Sequence, residues 1–230
     1  MMKLDITQLN KAVFRLLEAT ENPRHRFMLM AYARHRALEV AGRYEEIFAP
    51  DMMSPEAVYH ITAGGNNVVL TGQPQIKSLY RMWAETNQTI FYVDTEEVSV
   101  SDHYVTSIAT IYQQVSGRSL KANKLLAALP GFISRKLLER ALEQARHRSD
   151  DKNMYLHKIV GLQMIWPYDS RARLIGEDVY EPLPGQAELI KLDPRDVVTT
   201  AQARALMGPQ IQPLPSFDEM VLGRKEPLLA

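Results

Sequence analysis

Moving a proton in a water-poor pocket needs a base with a pKa near working pH and a donor aimed at developing oxyanion charge. Histidine, tyrosine and desolvated carboxylates supply both. Tyr32 and His35 stand three apart in a helical stretch and share a face, although Tyr32 also reads as core and Arg34-His35-Arg36 as a solvated basic stretch. Tyr92 and Asp94 stand two apart in a strand-like run, so both point to one side of a sheet. On a concave side, Asp94 can orient a histidine or act as an acid of raised pKa, with Tyr92 donating a hydrogen bond. On a convex side it is a solvated aspartate ahead of Thr95, Glu96 and Glu97. His60 can serve as a general base if it faces a pocket; otherwise it hydrogen-bonds within a strand pair or meets solvent. His157 lies between Tyr155 and Ile159, where a contact between the sheet and its partner explains it as well as catalysis does. Tyr80, Trp83, Trp166 and the methionines Met28, Met30, Met82 and Met164 are core residues in most settings, but around a wide pocket they suit an aromatic or polycyclic substrate. His25, His103 and His147 read as surface residues.

Other chemistries lack their residues. With no cysteine in 230 residues, disulfides, thiolate nucleophiles and thiolate metal sites are excluded. No two histidines stand at i, i+2 or i, i+4 and no His-Glu-x-x-His occurs, so no metal is expected. Gly64-Gly65 is a turn rather than a dinucleotide or phosphate loop, no Gly-x-Ser-x-Gly elbow is present, and no cofactor is expected. Lys plus Arg and Asp plus Glu balance at 27 each, which argues against nucleic acid and anionic membrane as partners. No segment has the roughly 18 apolar residues of a membrane span, and no signal-peptide stretch opens the chain, so a cytoplasmic location is expected.

The elements that must position these residues follow from periodicity. Ile6, Leu9, Val13, Leu16 and Leu17 predict a helix over 5–19 with Asp5 as cap. Phe27, Met30, Ala31, Leu38, Ala41 and Phe48 predict a second over 24–48, broken near Gly42, its other face basic. A strand pair is expected over 56–62 and 68–70, then a helix over 73–86 with Pro74 in its first turn. Two long strands over 88–100 and 104–115 follow; the apolar parity switches across Thr95-Glu96-Glu97, which implies a bulge. Residues 120–148 read as two inserted amphipathic helices. A hairpin turns at Pro167-Tyr168-Asp169-Ser170. Beyond Pro182 come one strand over 187–192, a short helix over 200–207 and a surface tail in the last 20 residues.

Three stretches in this order carry a resemblance. Gly42-Arg43-Tyr44-Glu45-Glu46-Ile47-Phe48-Ala49-Pro50-Asp51 leads into Ala57-Val58-Tyr59-His60. Leu70-Thr71-Gly72-Gln73-Pro74-Gln75-Ile76 leads into a helix. Trp166-Pro167-Tyr168-Asp169-Ser170 precedes Leu174-Ile175-Gly176-Glu177-Asp178-Val179-Tyr180. Together they resemble the nuclear transport factor 2-like (SnoaL-like) superfamily of polyketide cyclases, ketosteroid isomerases and scytalone dehydratases. The resemblance implies an α+β fold, a cone-shaped curved antiparallel β-sheet packed on N-terminal helices. An N-terminal helix (1–22) would precede the cone domain (23–182), whose helical insertion (119–150) departs from the pattern, and a C-terminal extension (183–230) would follow. Counted forward from Phe48, His60 falls where ketosteroid isomerases place their catalytic carboxylate, and the family's oxyanion-stabilising tyrosine corresponds to Tyr32 or His35. The implied function is a cofactor-independent lyase, dehydratase or isomerase acting on an aromatic or cyclic small molecule. Cleavage of a lignin-derived diarylpropane with loss of formaldehyde is one form of it. The alternative is a ligand-binding or assembly module of the same fold. Either implies a homo-oligomer, a dimer foremost, with Phe91, Val93 and Ile159 as outer apolar positions.

Overall fold

The computed structural model describes residues 4–63, 66–120 and 153–223. Asp5 caps a 3-10 turn, Ile6–Gln8, accepting from Thr7 N at 2.9 Å, and helix α1 (Lys11–Ala19) follows it. Helix α2 (Pro23–Val40) begins where the Asn22 side chain accepts from Arg24 N and His25 N, with Pro23 in the first turn. It ends at Gly42, whose φ of +62° favours glycine, and Tyr44–Phe48 continues as a 3-10 turn. Nearly every side of α2 is enclosed: Phe27, Leu29, Ala31, Tyr32, Ala33, His35, Arg36, Ala37 and Leu38 are all buried. Of the basic face expected of this helix, His35 and Arg36 lie inside the protein, while Arg24, His25, Arg26 and Arg34 stay half-buried.

Seven strands form one curled, unclosed sheet around α2: β1 (Met53–Ala63), β2 (Asn66–Thr71), β3 (Phe91–Val100), β4 (Tyr104–Ser116), β5 (Met154–Pro167), β6 (Leu174–Tyr180) and β7 (Glu188–Lys191). Their order is β2-β1-β6-β5-β4-β3, with β7 beside β5. The sheet is mixed rather than wholly antiparallel, because β1 and β6 run parallel. Along one edge of β5, residues 163–165 pair with β6 and residues 155–158 with β7; Gly161, at φ +67°, lies between. The register slips between Val93 and Thr95 on β3 and between Ala109 and Ile111 on β4, and such bulges bend a sheet. The first of these falls at Asp94, just before the expected stretch.

Helix α3 (Gln73–Glu85) buries Ile76, Tyr80 and Met82, as its spacing predicts. The expected insertion lies outside the described residues from 121 onward. The C-terminal segment departs from expectation. Helix α4 (Thr200–Met207), closed by a Thr199/Gln202 capping box, buries Ala203 and Met207, and Arg204 donates to Ala41 O and Gly42 O. Beyond it, Ile211 is buried and Phe217, on the short helix α5 (Phe217–Met220), stacks edge-on against Phe27 at 5.3 Å. Residues 211–221 are packed structure rather than a surface tail, because their apolar side chains find the start of α2.

The close approach of β1 to β6 depends on Gly176, where a β-carbon would lie 2.5 Å from Val58 O. Gly176→Ala is expected to destabilise the protein by ~1–3 kcal/mol, the usual consequence of overpacking. Urea unfolding monitored by circular dichroism checks this; an unchanged midpoint would show that the two strands separate freely.

Candidate active site

Helix α2 sends Tyr32, His35, Arg36 and Glu39 to neighbouring positions along its length, at the three- and four-residue spacing that puts side chains one above another. Tyr32 OH donates to Ser107 Oγ on β4 at 3.2 Å. Trp166, on β5, stands edge-on to Tyr32 at 4.8 Å and to His35 at 4.6 Å. His35 Nε2 shares a 2.9 Å hydrogen bond with Tyr80 OH of α3, and Tyr80 OH lies 3.3 Å from Tyr59 OH of β1. Tyr32, His35, Trp166, Tyr80 and Tyr59 are each 2% exposed or less, so they form a dry, aromatic wall. Trp83 is half-buried, 6.0 Å from Tyr80.

Two carboxyls face this wall. Glu39 lies one turn beyond His35, and Glu177 of β6 is the register partner of Tyr59. Burial pushes Glu39 up to about 8, against a smaller downward pull from Arg36. Burial also raises Glu177 well above the usual carboxylate range; the charge of Glu39 adds to the rise and Arg36 opposes it. Neither carboxyl has a hydrogen-bond or ion-pair partner among the described residues. Both nevertheless stay half-buried, while Leu38 and Val40 beside Glu39 are fully buried. Both carboxyls thus stand at the margin of the sealed aromatic wall.

The neighbouring groups fix which of them can titrate. Burial, helped by Arg36, lowers His35 to about 3, so its imidazole is neutral at physiological pH and cannot act as the working base. Burial raises the phenols of Tyr32, Tyr59, Tyr80 and Tyr168, keeping them as neutral hydrogen-bonding groups. Arg36 is ion-paired with Glu96 of β3 at 3.0 Å, both side chains 1% exposed, and lies over the Tyr32 ring at 5.0 Å.

The other sequence candidates lie elsewhere. His60 is on the outer side of β1, its side chain 55% exposed and 2.6 Å from Asp178 Oδ1. Side chains alternate along a strand, so a count displaced by one residue picks the outward His60 in place of the inward Tyr59. Asp94 falls in the bulge of β3 and is exposed, whereas Tyr92 is buried; the extra residue breaks the parity that would have paired them. Burial pushes the Tyr92 phenol up to about 12, reinforced by Asp196 and Asp5, which sets it beside the terminal segments. His157 is half-buried where β5 pairs with β7, and burial lowers its pKa; it lies nine residues from Trp166, roughly 30 Å of strand. Tyr32, His35, Tyr80, Trp83 and Trp166 are thus brought together, and Tyr92, Asp94, His60 and His157 are not. Glu39, missing from the sequence reading, continues the Tyr32, His35 face by one turn; Glu177 becomes visible only through its pairing with Tyr59. Among the described residues no three His, Asp or Glu gather as a metal site.

No protein-family model matches the chain, and no curated protein does. Its backbone is similar to that of a protein described as a SnoaL-like polyketide cyclase from Jannaschia Sp. CCS1, at 11% identity and a TM-score of 0.47, over 72% of this chain and 92% of that one. It is also similar to an NTF2-like protein from Anabaena variabilis ATCC 29413, at 9% identity and a TM-score of 0.37, over 78% and 94% respectively. The S. rosetta CaMKII hub is similar at 8% identity and a TM-score of 0.39, over 68% and 95%. The curled sheet packed with helices is the α+β architecture that the resemblance implies, with a mixed rather than wholly antiparallel sheet. At such identities the likeness concerns fold, and chemistry has to be read from this chain's own residues.

Titration of the buried groups has opposite consequences for stability. The folded pKa of His35 lies below its ordinary 6.5, so the stability it gives at neutral pH is lost as pH falls from 6.5 toward about 3. Glu39 is raised from 4.5 to about 8, so its contribution is full below 4.5 and lost as pH rises toward 8. In urea unfolding measured across pH, Glu39→Gln is expected to flatten the decline between these two values and His35→Asn to flatten the acid limb. A Glu39→Gln protein with the parental alkaline slope would show that this carboxyl ionises in water.

Proposed function

We propose that the chain is a cofactor-independent acid–base enzyme, a lyase, dehydratase or isomerase, acting on an aromatic or cyclic small molecule bound beside the aromatic wall formed by α2, α3 and the sheet. Glu39 is the base in this reading, since its pKa near 8 leaves a working fraction ionised at neutral pH. Glu177, which burial raises well above the usual carboxylate range, is the acid. Tyr59 stands beside it to donate to a developing oxyanion, and Trp83 and Trp166 offer ring surface to the substrate. The single observation that carries the reading is the pair of unpartnered, desolvated carboxyls set against the aromatic wall.

Turnover of cyclic and aromatic alcohols, diarylpropanes among them, with release of water or formaldehyde, tests it. Glu39→Gln and Glu177→Gln are expected to lose roughly 10²–10⁴-fold in kcat. His60→Ala should keep parental turnover. Loss of activity in His60→Ala alone, with both glutamate variants active, would move the chemistry to the outer face. The parental kcat/KM should rise with pH to a midpoint near 8 as Glu39 ionises.

A second observation favours self-association, whether the chain is an enzyme or a binding module. Tyr104 and Ile108 on β4 and Ile165 on β5 are 47%, 52% and 41% exposed on the outer side of the sheet. They replace the expected outer set, since Ile159 is buried and Phe91 and Val93 pack against the core. Light scattering should give a dimer mass, and Ile108→Lys a monomer; a parental monomer would remove the association. Among the described residues no helix is long and apolar enough to cross a membrane.

A further inference from the structure

We propose that Trp166 and Glu177 form a hydroxyl-binding subsite, in which one hydroxyl of a cyclic or aromatic substrate accepts from the indole N–H and hydrogen-bonds to the carboxyl. The proposal rests on the acid–base reading and deepens it by naming the polar group of the substrate. It starts from an unanswered donor. Trp166 is 2% exposed, and its Nε1 is buried with no hydrogen-bond partner among the described residues. A buried indole N–H ordinarily finds one. The polar side chains stacked on its ring are already engaged: Tyr32 donates to Ser107, and His35 Nε2 shares its hydrogen bond with Tyr80.

Sheet register sets an unanswered carboxyl opposite that donor. On one side of the pair, Ile165 of β5 is the register partner of Asp178 of β6; on the other, a β-carbon on Gly176 would lie 3.5 Å from the Pro167 ring. Between these two contacts Trp166 and Glu177 face each other across adjacent strands, with backbones about 5 Å apart. Ile165 and the Asp178 side chain are 41% and 49% exposed on the outer side, so alternation turns both Trp166 and Glu177 inward. Glu177 is half-buried and has no hydrogen bond or ion pair among the described residues. One hydroxyl answers both groups. Its oxygen accepts from the indole, which can only donate, and it can donate to a carboxylate or accept from a carboxylic acid. A carbonyl would serve only the protonated carboxyl, and an ammonium would leave the indole unanswered.

The chain has two tryptophans, so the 15N-labelled protein gives two indole N–H signals, and Trp83→Phe identifies that of Trp166. Titration with phenol and with toluene, rings of like size, tests the subsite. Phenol should move the Trp166 signal to saturation and bind about tenfold more tightly than toluene. Glu177→Leu should erase that preference, and Glu177→Gln, which keeps an acceptor and a donor, should retain most of it. A Trp166 signal indifferent to phenol overturns the subsite. So does equal affinity for the two rings, as when water alone answers the indole, or a phenol preference that survives Glu177→Leu in protein with native circular dichroism. The readout is binding without turnover. A failed turnover screen with the phenol preference intact refutes the enzyme reading, and turnover without that preference refutes the subsite.

Discussion

A helix enclosed on nearly every side carries polar residues into the core with it, and each must be satisfied there. This constraint on α2 shapes the rest of the molecule. Tyr32 is answered by Ser107, His35 by Tyr80 and Arg36 by Glu96, so partners come from β4, α3 and β3. Glu39 alone among these groups has no such answer, and it is the one that stays half-buried. Buried pairs of this kind are weak sources of net stability, because desolvation offsets most of the attraction. Breaking one by removing a single partner is strongly destabilising, so the same contacts tie helix and sheet to one geometry.

The sheet supplies the complementary half. Bulges on β3 and β4 and the left-handed Gly161 on β5 bend it around the helix, and the parallel pairing of β1 with β6 sets Tyr59 beside Glu177. The C-terminal extension closes the other side, through Arg204 on the end of α2 and Phe217 on its beginning. The aromatic wall and the enclosure of α2 are thus two aspects of one curvature. The raised pKa of Glu177 follows from being placed where water is scarce and a second carboxyl is close.

Local pattern made much of this legible. Apolar periodicity located α1, α2 and α3, turn residues located the hairpins, and the switch of parity on β3 announced a bulge to within a few residues. The helix face shared by Tyr32 and His35 was readable for the same reason. What escaped depends on contacts far apart in the chain. Arg34-His35-Arg36 looks solvated because a basic run on a helix usually is, and only the encircling sheet puts two of these residues inside. His60 and Tyr59 differ by one step of strand alternation, which no motif count resolves without the neighbouring strand. Glu177 acquires meaning only from β1, and the outer partners His60 and Asp178 show that separation to be 118 residues.

That same separation orders events as the polypeptide emerges from a ribosome. Helix α2 and strand β1 are made first and must wait, charges still hydrated, until β5 and β6 arrive to wrap them. Loop closure over so long a span makes assembly of the aromatic wall a late and slow event relative to the hairpins. The arginine at the centre enters the interior only when the glutamate that anchors it is held in the finished sheet.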